Sequence, residues 1–202
     1  MPKVSEAHRA ARRRQILDAA GRCFVRDGFH ATSMQDVFRE SGLSAGAVYR
    51  YFPGKHAIVA AIAQEVLVEL TGAFDEITGG EAVPPLDEAM ARVLGVAHRL
   101  AGPDGAGPIA LQVWSESRRD PLLADLVATA YRTIRARFVQ LVEAAGEAGQ
   151  LPPGTDPEPL GAVLFGAMLG FVLQRLLVGD VDPAEYGAGL RALLAPGMAA
   201  RP

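Results

Sequence analysis

The chain has 202 residues, half of them hydrophobic, with one cysteine and a formal net charge of −3. A single cysteine, Cys23, excludes an intrachain disulfide framework and a cysteine-based metal site; among apolar helical neighbours it reads as a small core residue. The start, Met1-Pro-Lys-Val-Ser5, lacks the apolar stretch of a secretory signal. The longest apolar run, residues 160–173, falls short of the roughly 18 residues a membrane span needs. The expectation is a soluble cytoplasmic protein without a membrane partner.

The mildly negative total hides an asymmetry. Residues 1–56 carry ten Lys or Arg against five Asp or Glu, a balance of +5, whereas residues 57–202 carry ten against eighteen, a balance of −8. A basic end on an acidic body suggests that the basic end faces an anionic partner.

Taken in chain order, nearly every segment between turn signals reads as helix. Ser5 to Asp27 is the first, with Ile16, Leu17, Ala20, Cys23 and Phe24 on one face and Gly28 suited to ending it. Thr32-Ser33-Met34-Gln35 has the form of a capping box, and Met34, Val37 and Phe38 are the inner side of the second helix. Ser41-Gly42-Leu43 makes a tight turn, and Ser44 caps a third helix running to Phe52, stopped by Pro53-Gly54. Ile58, Ile62, Val66, Leu70, Phe74 and Ile77 recur at helical intervals in a long fourth helix. Leu86 to Leu100 is the fifth, followed by a loop from Gly102 to Pro108 and a short sixth helix carrying Trp114. Pro121 opens the seventh, with Leu122, Leu126, Tyr131, Ile134, Phe138, Leu141 and Val142 at helical spacing. Asp156-Pro157 and Asp182-Pro183 place an acidic cap before a proline and open the eighth and ninth. The fold class is therefore all-α, with nine helices in two domains: residues 1–56, and residues 57–202 for sensing and dimerisation.

Residues 33–52 carry the informative constellation: a helix of about eight residues, a three-residue turn containing Gly42, then a second short helix. This spacing lets the second helix lie in a DNA major groove while the first crosses the backbone. Val37, Leu43, Val48 and Phe52 can fix the angle between the helices. Thr32 and Ser33 bring hydroxyls and free backbone N–H groups to a helix start, where phosphate is favourably held. Lys55, at the start of the fourth helix, offers the same contact with a full charge. Tyr49 is either a core aromatic or a phosphate contact, and Arg12-Arg13-Arg14 either a solvated face or a further contact to the DNA backbone.

The segment from Ala31 to Lys55, with Thr32, the Gly42-Leu43-Ser44 turn, the Tyr49-Arg50-Tyr51-Phe52 block and Lys55 after Pro53-Gly54, resembles the DNA-binding segment of tetracycline-repressor (TetR) family regulators. The resemblance covers roughly residues 10–60. It implies that Tyr49, Lys55 and Thr32 or Ser33 hold phosphates, and that Gln35, Ser44, Ala45 and Arg50, with Gly46 between them, approach base edges. The chemistry agrees: Gln pairs with adenine, Arg with guanine, and Ala touches a thymine methyl. Two positions depart from the family's pattern. Ala45-Gly46-Ala47 leaves the recognition helix poor in polar side chains, which places readout on Gln35, Arg50 and DNA shape. Phe38 stands where a small residue is usual, a change expected to alter the packing between the helices without changing function.

The eighth helix, expected from Pro157 to Val178, is apolar nearly all round, as a helix covered on every side would be. Gly161, Gly166 and Gly170 each cost roughly 1 kcal/mol against alanine in a helix, a cost that a closely approaching partner helix would offset. The resemblance implies that the last two helices pair across a two-fold axis, giving a homodimer with Gly161, Leu164, Phe165, Met168 and Phe171 at its interface and a pseudo-palindromic double-stranded DNA operator. It also implies a cavity enclosed by the fourth to eighth helices. Phe74, Met90, Leu94, Trp114, Tyr131, Phe138 and Met168 are its candidate lining, with Gln112, Ser115, His98 and Gln174 as polar contacts for an unidentified small-molecule effector. The apolar lining points to a hydrophobic or aromatic effector. An enzyme is not expected: His8, His30, His56 and His98 show neither metal-ligand spacing nor a nucleophile alongside, no strand precedes the glycine-rich loop, and no cofactor is called for. A helical ligand carrier without DNA binding is the other alternative, and it leaves the basic segment and the Gly42 turn without a purpose.

Overall fold

In the computed structural model the described residues, 6–80, 82–102 and 105–194, form nine helices and no strand. They are α1 (Glu6–Asp27), α2 (Met34–Ser41), α3 (Ala45–Tyr49), α4 (Lys55–Thr78), α5 (Leu86–Leu100), α6 (Gly107–Ser117), α7 (Pro121–Glu147), α8 (Pro157–Leu177) and α9 (Pro183–Leu194). The expected start at Ser5 lies outside the described residues, as do Pro103 and Asp104 of the expected loop. α3 stops at Tyr49 rather than at Phe52, because Tyr51 and Phe52 close the segment through turn bonds from their amides back to the Val48 carbonyl, at 2.9 and 3.0 Å. α6 begins at Gly107, so its first residues come from the expected loop. In α7 it is Leu123 that is buried, while Leu122 faces out.

Acidic caps set the later helices. Asp156 accepts from Glu158 N at 3.1 Å, and Asp182 accepts from Ala184 N at 2.8 Å and Glu185 N at 3.2 Å. Both satisfy first-turn amides ahead of a proline that has none to offer.

The helices fall into two compact units. The first holds the described residues up to Glu65 together with Pro108–Thr129; the second holds Val66–Gly107 and those from Ala130 onward. α4 and α7 therefore each contribute to both. In the first unit Ile16, Leu17, Ala20 and Phe24 of α1 meet Val37, Val48, Phe52, Ile58 and Val59, with Ile109, Val113 and Leu123 completing the core, and Cys23 is buried on the same helix.

The second unit is built around α5, α7 and α8. The rings of Phe74 and Phe138 meet edge to face at 4.8 Å, and Phe165 adds to Phe138 at 6.1 Å and to Tyr131 at 5.3 Å. Met90, Val93 and Leu94 of α5 fill the space beside them. α7 and α8 cross closely at Gly161, where a Cβ would lie 2.7 Å from Val139 Cγ2 and 2.9 Å from both the Cα and the backbone N of Val139. The partner that offsets the cost of this glycine is thus a helix of the same chain.

α8 is not covered on every side. Gly161, Leu164, Phe165, Met168 and Phe171 are all buried in their own unit's core, so the residues expected at a dimer interface occupy the inward face. The opposite face is open: Val163 is 65% exposed and Leu177 70%, with Ala162, Gly166, Leu173 and Val178 exposed beside them, and no atom within 4 Å of a Cβ built at Gly166. α4 and α8 are long and apolar enough by length and composition to cross a membrane, which a count of unbroken apolar residues missed. Each places part of that apolar surface in a protein core, through Leu70, Phe74 and Ile77 in α4 and through the inward face of α8.

Candidate nucleic-acid interface

The interface is assembled in the first unit from α2, its turn, α3 and the start of α4. Ser33 is the N-cap of α2: its Oγ accepts from Asp36 N at 3.3 Å, and the Asp36 carboxylate accepts from Ser33 N at 2.9 Å. The capping box is therefore Ser33–Asp36, one residue later than the Thr32–Gln35 reading. The Ser33 hydroxyl holds the Asp36 carboxylate below the usual carboxylate range, and Arg39 pairs with its other oxygen. The Met34 and Gln35 amides, on the first turn, have no intrahelical carbonyl to bond.

Thr32 plays a different part from the one expected. It is 1% exposed, its hydroxyl donates to the Gly28 and Cys23 carbonyls at 2.7 and 3.2 Å, and its N–H donates to Gly28 O. Its donors are turned inward, so Thr32 secures the α1–α2 connection instead of offering a hydroxyl to DNA.

The turn requires Gly42, which sits at φ 67° in the left-handed region and donates its N–H to Arg39 O at 3.3 Å. Gln15 of α1 steadies it by donating from Nε2 to Ser41 O at 2.7 Å, a tie that no sequence pattern announced. Ser44 caps α3 by accepting from Ala47 N at 3.3 Å. α3 has one fully buried residue, Val48, and turns Ala45 and Gly46 outward, with open space around a Cβ at Gly46.

Around this short helix stand the exposed polar candidates. Gln35 and Arg50 are exposed, and Tyr49 is 50% exposed with one edge against the Phe38 ring, so it is not a core aromatic. Lys55 is half-buried: its ammonium lies 4.7 Å above the Phe29 ring and donates to the carbonyls of Phe29 at 2.7 Å and His30 at 3.3 Å. Burial pulls its pKa below the ordinary lysine value, and the Glu116 carboxylate opposes that shift. The arginine run is engaged within the protein. Arg13 and Arg14 both pair with Glu65, at 2.7 and 3.2 Å, and Arg12 donates to Gln15 at 2.7 Å. Exposed pairs of this kind are weak, so they yield readily to a stronger anion.

Two further side chains hold the same unit together. Gln112 accepts from Phe29 N at 2.8 Å, so this residue, a candidate ligand contact by sequence, supports the α1–α2 connection. Asp120 caps α7 through Leu122 N and Leu123 N and bonds His56 Nε2 at 2.6 Å; the His56 contact holds its carboxyl below the usual range.

Of the expected effector residues, Phe74, Met90, Leu94, Phe138 and Met168 are buried together in the second unit's core, and Tyr131 packs at its margin. Trp114 is on the part of α6 that belongs to the first unit. Ser115 and Gln174 are exposed, the latter donating to Gly170 O at 3.3 Å. Next to the Phe171 ring, His98 has a buried Nδ1 with no hydrogen-bond partner among the described residues. Among those residues no group of three or more His, Cys, Asp or Glu could hold a metal ion.

A capped helix, a glycine turn and a second capped helix with an outward polar fringe define a helix-turn-helix DNA-binding unit. Residues 16–62 match the model of the bacterial regulatory proteins of the tetR family, and residues 90–197, more than half of the chain, match that of the BetI-type transcriptional repressor C-terminal region. The chain belongs to the TetR family of transcriptional regulators. It is similar to the uncharacterised regulator YfiR of Bacillus subtilis, 29% identical over 189 residues covering 91% of this chain and 89% of that protein. Over 65 residues it is 48% identical to the repressor Rv1474c of Mycobacterium tuberculosis, which covers 32% of this chain and 35% of that one. Among solved structures, GusR of Salmonella enterica aligns with a TM-score of 0.77 at 25% identity, covering 95% of this chain and 96% of that one. SmeT in complex with triclosan aligns at 0.79 with 21% identity, covering 95% and 98%, and shares the fold.

Proposed function

We propose that the protein is a cytoplasmic, ligand-responsive repressor that binds a pseudo-palindromic operator as a homodimer and is released by a small hydrophobic or aromatic effector. The observation that carries the reading is the outward fringe of Gln35, Ser44, Tyr49 and Arg50 around a helix anchored by Val48. In this reading Tyr49, Lys55 and Ser33, with the free α2 amides, hold phosphates. Gln35 and Arg50 read adenine and guanine edges, and Ala45 and Gly46 let the backbone come close to the groove.

Tyr49→Ala and Lys55→Ala are then expected to weaken binding by similar factors on every sequence. Arg50→Ala and Gln35→Ala are expected to erase roughly 1–3 kcal/mol of discrimination at one base pair each. Mobility shifts against a site selected by the wild-type protein from randomised duplexes check this, and unchanged affinity in all four variants would overturn the assignment.

Dimerisation is supported by the open face of α8, where the exposed apolar side chains of Val163, Leu173, Leu177 and Val178 are costly to leave in water. An apolar effector is supported by the aromatic core of the second unit and by His98, whose buried Nδ1 has no hydrogen-bond partner among the described residues and could receive one from a ligand. SmeT, of the same fold, has been captured with triclosan. Because α4 belongs to both units, an effector that prefers one position of that helix would shift the spacing of the two recognition helices. Thermal-shift screening is expected to find stabilisers among lipophilic compounds carrying one polar group; stabilisation by polar compounds alone would sink the effector class.

A further inference from the structure

Phe38 lies in the last turn of α2, part-buried against the first unit's core. Its ring meets that of Tyr49 edge-on, with centroids 5.3 Å apart and planes at 71°. Tyr49 is the last residue of a five-residue helix, and beyond Phe38 its side chain is half exposed. So short a helix has little stability of its own, and an exposed phenol at its end would sample several side-chain rotamers. The geometry points to Phe38 as a positioning residue for DNA binding: its ring holds the Tyr49 phenol in one orientation before DNA arrives, so that the hydroxyl donates to a phosphate oxygen without first being ordered. The inference rests on the reading of Tyr49 as a phosphate contact.

The chemistry is that of an edge-to-face pair, in which the positive rim of one ring meets the negative face of the other. Such a pair restricts both rings without using the phenol hydroxyl, which has no partner among the described residues. The restriction matters more in this protein because Ala45 and Gly46 contribute no polar side chain, so Tyr49 carries a large share of what α3 offers to DNA.

The test is a double-mutant cycle on the full chain, using the duplex that the wild-type protein selects and an unrelated duplex. Phe38→Leu keeps an apolar side chain of similar bulk and removes the ring; Phe38→Tyr keeps the ring. With helix content and melting temperature held near wild type, Phe38→Leu is expected to weaken binding to both duplexes by roughly two- to tenfold, the range an aromatic pair accounts for. Phe38→Tyr is expected to restore most of the loss. In a Tyr49→Ala background, where the partner ring is already gone, Phe38→Leu is expected to have at most about a twofold effect. An equal loss in both backgrounds, or none in the wild-type background, would overturn the positioning role. If Tyr49→Ala by itself left affinity unchanged, the phosphate reading would fall, and the proposal with it. Should Phe38→Leu unfold, the Tyr49 ring protons of Phe38→Tyr and wild type decide: a ring-current shift absent from both overturns the pairing.

Discussion

Replacing Val163 with Arg is expected to make the protein monomeric and to lower operator affinity by at least about 100-fold, the scale on which joining two binding modules raises avidity. Val163, 65% exposed, lies toward the N-terminal end of the open face of α8, on the side away from Leu164 and Phe165, so the substitution leaves the second unit's core intact. In a dimer the guanidinium would be buried against apolar side chains without a counter-charge, which the assembly avoids by coming apart. On the proposed reading, a monomer would keep one half-site through Tyr49, Lys55 and Arg50 and lose the second recognition helix that the dimer delivers. Light scattering gives the mass, and mobility shifts give the affinity. A Val163→Arg protein that remains dimeric with wild-type affinity would remove α8 from the interface.

The second large effect is expected at Gly161→Ala. The added methyl meets Val139 backbone atoms at 2.9 Å, and these cannot rotate away as a side-chain tip could. α7 and α8 must separate, at an overpacking cost of about 1–3 kcal/mol, or roughly 2–10 °C in melting temperature for a chain of this size. Gly166→Ala is the informative contrast. Nothing from the rest of the described residues lies within 4 Å of its Cβ, so in an isolated protomer helix propensity alone would make the change stabilising by up to about 1 kcal/mol. A Gly161→Ala protein that melts at the wild-type temperature would show that the crossing is looser than the distances indicate.

Legibility in the sequence follows the range of the interactions involved. Asp156 and Asp182 ahead of their prolines, and Gly42 after its amphipathic helix, act within a few residues and are visible in order along the chain. The sequence offers two hydroxyls at Thr32-Ser33, and only burial distinguishes the inward Thr32 from the Ser33 that caps with Asp36. α8 is illegible for a related reason. An all-apolar helix has no polar stripe to separate inside from outside, so composition could not tell Leu164 from Val163, although one is buried and the other faces solvent. Long-range ties left no trace at all: neither Gln15 reaching Ser41 nor Gln112 reaching Phe29 has a periodicity or a neighbour to announce it. The grouping of most of α6 with the N-terminal helices is of the same kind, because it depends on Ile109 and Val113, which resemble any other core pair.

The bareness of α3 has an evolutionary consequence. A Cβ added at Gly46 has open space around it among the described residues, and Ala45 is already exposed. New residues at these two positions are therefore expected to be nearly neutral for folding, while on the proposed reading each one would change what the major groove encounters. Most mutations that rewrite an interface must also be tolerated by a packed core, and here the two demands fall on different residues. Binding preference can drift, or be selected in a library at positions 45 and 46, without the stability loss that usually narrows such searches.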